Sequence, residues 1–498
     1  MKKFLRLRFA HYLIALLSLS STQGMALELD WSGQFWSEFN YLRGYTTDVV
    51  NDPTRATAGG YYVPNQGSAD ATFQSLFLRL RPKAIVNDNI SIKSEFWAGD
   101  PVFGLFGSAV PSTLDQRMYY SNQSKGSVIS AQRFWGEFIS DIGTFQVGRV
   151  PLHWGLGLVW NSGDNVWDRY MSSGDGVRWI AKFGSFLFSP SLIVESTGGS
   201  VAQMGGVTDL SVIVKYENAE DEVELGVNLL KRIGSSPSDS NAGLNWSANY
   251  SQPATNSAIG MNYVTYDFFA RKRFQQVSVG LELPLTSGSL NNVSYQGLGV
   301  ASEIDWKPNE TWDLLLKAGY ASGQSSSSSA TGNSQQAFYF NPNYHIGMIM
   351  FNYQLANLGG AQTANNPGNS NLLQSPYDNP IVNAAYASLS TQIKAWDKWT
   401  LKPALIYAGA LSGASSGSGY FYNYWTRSWR QNNSGKTQGS SLGFEADLGL
   451  TFQWDEYFNF ALDTGLFVPG SFYAFSNTAT DNPLSPIFAA AMRIGVTF

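Results

Sequence analysis

Between residues 27 and 498 no apolar run approaches the roughly 18 consecutive residues that a membrane-spanning helix needs. Charged residues are nevertheless only 14% of the chain and aromatic residues another 14%. Soluble domains carry about a quarter charged residues, so the composition points to a membrane while the pattern excludes helical spans. The other structure that satisfies every backbone N–H and C=O inside lipid is a closed β-barrel, whose strands alternate between lipid and lumen. A mean hydropathy of -0.16 is what such alternation averages to. The 49 glycines are spread through the chain, as expected where they relieve crowding in strands and turns.

The first 26 residues read as a signal peptide. Lys2, Lys3, Arg6 and Arg8 precede an apolar stretch from Tyr12 to Leu19, and Gly24-Met25-Ala26 places the cut before Leu27. Removing these four bases and no acid takes the formal charge from -5 to -9, which argues against nucleic acid as a partner. With no Cys there is no disulfide framework, thiol nucleophile, cysteine-bound metal or lipid-modified N-terminal Cys.

Period-2 alternation begins almost at once. From Trp31 to Tyr41 the residues Trp31, Phe35, Phe39 and Tyr41 share one face, and Ser32, Gln34, Glu38 and Asn40 the other. A strand this early leaves no room for an N-terminal plug, which argues against TonB-dependent receptors and fatty-acid transporters. We read strands near 29–42, 73–86, 90–99, 128–140, 143–150, 175–183, 185–196, 207–217, 222–233, 260–272, 274–285, 296–307, 311–322, 381–395, 398–410, 439–454, 457–468 and 486–498. That gives an all-β antiparallel up-and-down barrel of about eighteen strands. Short turns such as Asn87-Asp88-Asn89 and Asp455-Glu456 alternate with long Gly/Ser/Asn-rich loops, the asymmetry of periplasmic turns and extracellular loops.

The apolar segment Tyr344 to Leu355 could pass for a nineteenth strand, but parity places it within a long external excursion, about 323–380. A loop of that length with its own apolar segment is usually functional. It could fold inward and narrow a pore, or cap the barrel mouth. The last strand puts Phe488, Met492, Ile494, Val496 and Phe498 on the lipid face. Its terminal aromatic resembles the signal by which the outer-membrane assembly machinery recognises its clients, so Phe498 is the expected contact with that machinery.

A charge at the lipid midplane costs about 2–4 kcal/mol, so strand charges are assigned to the lumen. On the second strand Arg79, Arg81 and Lys83 fall inward, with Lys93 opposite on the third. Arg133, Arg178, Lys182 and Lys215 extend a basic arc, relieved by Glu95, Glu137 and Glu195. Later strands turn acidic through residues such as Glu282, Glu303, Glu445, Asp447 and Asp463. Opposed walls of this kind create a transverse field that selects solutes by charge; the alternative is that inward charges only pair across strands and keep the wall wet.

Catalytic signals are sparse. Only His153 and His345 remain after processing, neither with a nearby acidic pair, so loop packing is the better reading, and no metal site, cofactor loop or enzymatic centre is expected.

Three passages resemble outer-membrane porins and alginate-export-type barrels. They are Gln146-Val147-Gly148-Arg149 running into His153-Trp154-Gly155, with Val150 where a Gln is usual; Ala318-Gly319-Tyr320-Ala321-Ser322-Gly323; and Leu442-Gly443-Phe444-Glu445-Ala446-Asp447-Leu448, followed by Phe467-Val468-Pro469-Gly470. The resemblance implies an eighteen-stranded passive channel with Glu445 and Asp447 facing the pore, and it adds Arg149 to the expected solute path. The expected function is diffusion of small polar or anionic solutes; export of an acidic polysaccharide, or a closed barrel serving as a receptor or adhesin, are the alternatives. Outer-membrane lipid and small solutes are the expected partners, and the oligomeric state is left open.

Overall fold

A computed structural model describes residues 28–44, 70–99, 129–165, 167–196, 207–234, 261–290, 293–328, 334–353, 380–424, 428–475, 479–481 and 484–498. The signal-peptide reading of 1–26, and residues 354–379 of the long excursion, lie outside them.

Eighteen long strands form the barrel wall. They are β1 Glu28–Arg43, β2 Asp70–Asn87, β3 Ile90–Gly99, β4 Ile129–Ser140, β5 Gly143–Pro151, β6 Ser173–Phe183, β7 Phe186–Ser196, β8 Val207–Asn218, β9 Val223–Gly234, β10 Met261–Arg273, β11 Val277–Leu290, β12 Gly299–Trp306, β13 Trp312–Ala321, β14 Ala384–Trp396, β15 Trp399–Ala410, β16 Ser441–Gln453, β17 Phe458–Pro469 and β18 Ile487–Thr497. Each pairs antiparallel with its neighbours in sequence. The circle closes where β1 meets β18, in a register running from Gln34↔Thr497 to Arg43↔Phe488. Phe498 continues this seam by exchanging two backbone hydrogen bonds with Gly33, at 2.7 and 3.0 Å. Closure leaves no unpaired edge, the condition for a sheet to stand in lipid.

The outward face is an apolar belt carrying residues such as Leu210, Leu229, Phe268, Leu389, Leu405, Leu448 and Leu466, all of them exposed. At the end with short turns it finishes in aromatics: Phe183 and Phe186, Trp306 and Trp312, Trp396 and Trp399, and Trp454 and Tyr457 flank four of the short turns and are all exposed. Such a ring marks the membrane–water interface. A closed barrel with this belt and girdle belongs in the outer membrane of a Gram-negative cell.

The long connections gather at the other end, with a small hairpin of Tyr420–Asn423 and Ser428–Gln431 and a single helical turn, Ser471–Ala474. Two chain segments from this end turn into the barrel. One is 152–172, between β5 and β6; the other is 334–353, between β13 and β14, which includes the apolar stretch from Tyr344. That stretch forms turns and bends, not a strand. Phe340, Ile349, Met350 and Tyr353 are almost wholly buried there, and with Leu158 of the first segment they build the largest apolar cluster.

Candidate lumen and its inserted segments

Inward carboxylates hold the inserted segments by their backbone amides. Glu282 on β11 accepts hydrogen bonds from the N–H groups of Leu156 and Leu158, the latter at 3.1 Å. Glu445 on β16 accepts from Ile349 at 2.7 Å and from Met350 at 2.5 Å, and Asp447, two residues on along the same face, accepts from Met348 at 2.9 Å. A carboxylate takes two donors because it is acceptor-only with two oxygens. Glycine makes both approaches possible. Gly155 sits at a φ of +59°, where a side chain would be strained, and a Cβ there or at Gly347 would run into the Glu282 or Glu445 carboxylate.

Inward bases do the converse and hold backbone carbonyls. Arg79 donates to the carbonyls of Asn165 (3.5 Å) and Asp168 (3.3 Å), Arg133 to that of Ser162, and Lys317 to that of His345 at 3.3 Å. The two segments also bind each other, through Asn341 N–H to the Leu158 carbonyl at 2.7 Å and through Asn343, which exchanges hydrogen bonds with the Tyr170 backbone at 3.1 and 2.6 Å. The charged wall thus grips the uncharged backbone of what it encloses.

The expected solute-path residues fall into three groups. Arg79, Arg81 and Arg133 point inward and converge on Glu95, at 3.4, 2.8 and 3.2 Å. Asp164, carried in by the first inserted segment, pairs with Arg81 at 2.7 Å and Arg133 at 2.9 Å. Arg79 is wholly buried, its guanidinium packed against the rings of Phe77 and Trp97. The upper part of the basic arc is therefore largely paired and used to anchor a loop.

The second group pairs along the wall nearer the short turns: Lys93 with Glu137 at 2.8 Å, Lys182 with Glu217 at 3.8 Å, Lys215 with Glu217 and Glu224 at 2.6 and 2.9 Å, and Asp463 with Arg493 at 2.6 Å. Arg178 joins Gln146, which also donates to Glu137 at 2.8 Å. Lys83 completes the inward set. Among the described residues it has no acid within ion-pair distance, and neither do Lys394 and Lys402, which the sequence reading did not single out as expected solute-path bases. Charged side chains without an internal partner are the ones a passing solute can engage.

Arg149 is a correction. It shares the outward face with Val147, opposite Asp175 and Val177, and forms a two-pronged pair with Asp175 at 2.7 and 2.9 Å. It stands two residues from the end of β5, near the membrane interface, where the cost of an outward charge falls to about 0–1 kcal/mol. The inward rule for charges therefore does not bind it.

The two histidines are packing residues of the inserted segments. His153 Nδ1 accepts from the Ser162 N–H at 3.4 Å. Burial, reinforced by Arg169, Lys317 and Arg493, pushes His345 down to about 3 and keeps it neutral.

No protein-family profile and no curated protein matches the sequence, so the alginate-export resemblance gains no support there. Solved structures do match over nearly the whole chain. OccK11 of Pseudomonas aeruginosa is 7% identical, with a TM-score of 0.48, over 94% of this chain and 96% of that one. The outer membrane channel DcaP of Acinetobacter baumannii is 10% identical, with a TM-score of 0.43, over 96% and 99%. OmpT, an outer membrane protein of Vibrio cholerae, is 8% identical, with a TM-score of 0.37, over 94% and 97%.

Proposed function

We propose that the chain is an outer-membrane channel for passive diffusion of small polar or anionic solutes, narrowed by the segments 152–172 and 334–353. The observation that carries this reading is the division of the lumen. Above, two inserted segments are fixed by wall charges; below, among the described residues, Lys83, Lys394 and Lys402 face the interior with no acid in ion-pair distance, and Arg178 bonds the Gln146 amide. Unpaired bases in a wet passage with low-dielectric walls raise the local concentration of anions. Lumen space shared by two packed segments suits small solutes better than a polymer, which places polysaccharide export second.

Planar-bilayer recording of the refolded protein in a salt gradient tests the reading. Lys83→Glu with Lys402→Glu is expected to move the reversal potential toward cations with little change in barrel stability, since neither lysine anchors a loop. Arg81→Glu also leaves Glu95 and Asp164 without that partner, so it should lower barrel stability as well as shift the reversal potential, unlike the lysine pair. A reversal potential unmoved by the lysine pair rejects the anion path, and absence of conductance from a folded barrel favours the closed-receptor alternative.

A further inference from the structure

Beneath the first inserted segment, at the short-turn end, the wall encloses a cavity of about 740 Å³ that reaches from β10 to β14 and is roofed by Leu156. Register fixes its layout. Arg271 on β10 lies opposite Gly280 on β11, which lies opposite Glu303 on β12; one row lower, Arg273, Ser278 and Asp305 repeat the order. The open floor is thus Ser278, with Gly280 above it covered by Leu156, and with bases on one side and acids on the other. Two strand spacings separate the walls, about 10 Å between backbones.

Neither wall neutralises itself. On the basic side Glu224 is the acid within reach of both arginines among the described residues, at 4.0 Å from Arg271 and 3.7 Å from Arg273, and it is engaged more closely by Lys215 at 2.9 Å. On the acidic side Lys317 pairs with Glu303 at 2.9 Å, while Lys307, rising from the β12–β13 turn, is shared by two acids, lying 3.0 Å from Asp305 and 3.4 Å from Asp313. Its ammonium occupies the place between two carboxylates that a solute's ammonium would take, and at 57% exposure it is free to be displaced. Asp305 Oδ1 is buried with no hydrogen-bond partner, an acceptor left over beside that ammonium.

We propose that this cavity is a subsite for zwitterionic solutes whose ammonium and carboxylate are several bonds apart, as in ω-amino acids or short peptides. The ammonium displaces Lys307 between Asp305 and Asp313, the carboxylate meets Arg271, and the intervening methylenes cross Ser278 beside Leu156, which itself covers Gly280. The inference rests on the channel reading for the solute's arrival, but binding itself is measurable without transport.

Isothermal titration of the full-length barrel refolded in detergent separates the two. 6-Aminohexanoate is expected to bind at least about tenfold more tightly than hexanoate or hexylamine, each of which can satisfy one wall only. Arg271→Gln and the pair Asp305→Asn with Asp313→Asn should each remove that preference. Ser278→Trp, which fills the floor and leaves every charge in place, should abolish binding of all three probes and guards against misfolding of the charge variants. Equal affinity for the three probes, no binding of 6-aminohexanoate, or a preference that survives both charge variants overturns the proposal. Channel failure shows separately, as absent conductance from a barrel that still binds.

Discussion

Replacing Glu445 by Gln together with Asp447 by Asn is expected to raise single-channel conductance by about twofold to fivefold while leaving the barrel folded. The three backbone amides of Met348, Ile349 and Met350 are held by these two carboxylates. A carboxamide keeps one acceptor oxygen and turns the other position into a donor, so at least one buried amide loses its partner and faces a like N–H. Each such orphaned donor costs about 1–3 kcal/mol, enough to shift a loop that has few other charged anchors. Other ties of this stretch include Tyr386 on the Tyr344 hydroxyl, Lys317 on the His345 carbonyl, Ser388 on that of Ile346 and Tyr353 on Asn40. Unchanged conductance and unchanged noise from a folded double variant would show that 344–353 does not restrict the passage. Raised conductance with lost resistance to denaturant would instead assign the segment a structural share as well.

That segment also marks where sequence reading stops. Alternation along β2, where Leu76, Leu78 and Leu80 oppose Arg79, Arg81 and Lys83, depends only on neighbours in the chain and gives the strand and its inner face directly. The same logic yields eighteen strands and excludes 344–355 from the wall; the structure has eighteen wall strands, and 344–353 forms turns and bends. What the inward charges do was not legible. Glu282 meets Leu156 and Leu158 across 126 and 124 residues, and Glu445 meets Ile349 across 96. An acid that binds main-chain N–H groups asks nothing of its partner's side chain, so its target leaves almost no trace in residue types. Gly155 and Gly347, each just before the bonded amides, are the nearest thing to a signal. Arg149 misled for the opposite reason: the parity of Gln146 and Val147 already put it outside, and only its motif context suggested the pore.

Glu38→Gln is expected to destabilise the barrel more than any single change in the solute path, by about 3–5 kcal/mol, the range for breaking one side of a buried ion pair. Glu38 is fully buried on β1. It receives Arg169 Nη2 from the first inserted segment at 2.7 and 2.8 Å, Asn40 at 2.7 Å, and Arg493 from β18. Arg493 stands directly opposite Glu38 across the seam that closes the barrel. Removing the charge takes a shared acid from two buried guanidinium groups at that seam; among the described residues Asp463 still pairs with Arg493. Urea unfolding of the protein refolded in vesicles measures the loss, and Asp463→Asn, which deprives Arg493 of an acid but spares Arg169, should cost distinctly less. Because Arg169 also belongs to the inserted segment, Glu38→Gln should loosen 152–172 before the wall opens, seen as earlier protease cleavage within 160–172 at urea concentrations where the strands remain intact. Stability equal to that of the unchanged chain would mean that water replaces the carboxylate at the seam, and would remove the coupling drawn here between barrel closure and loop insertion.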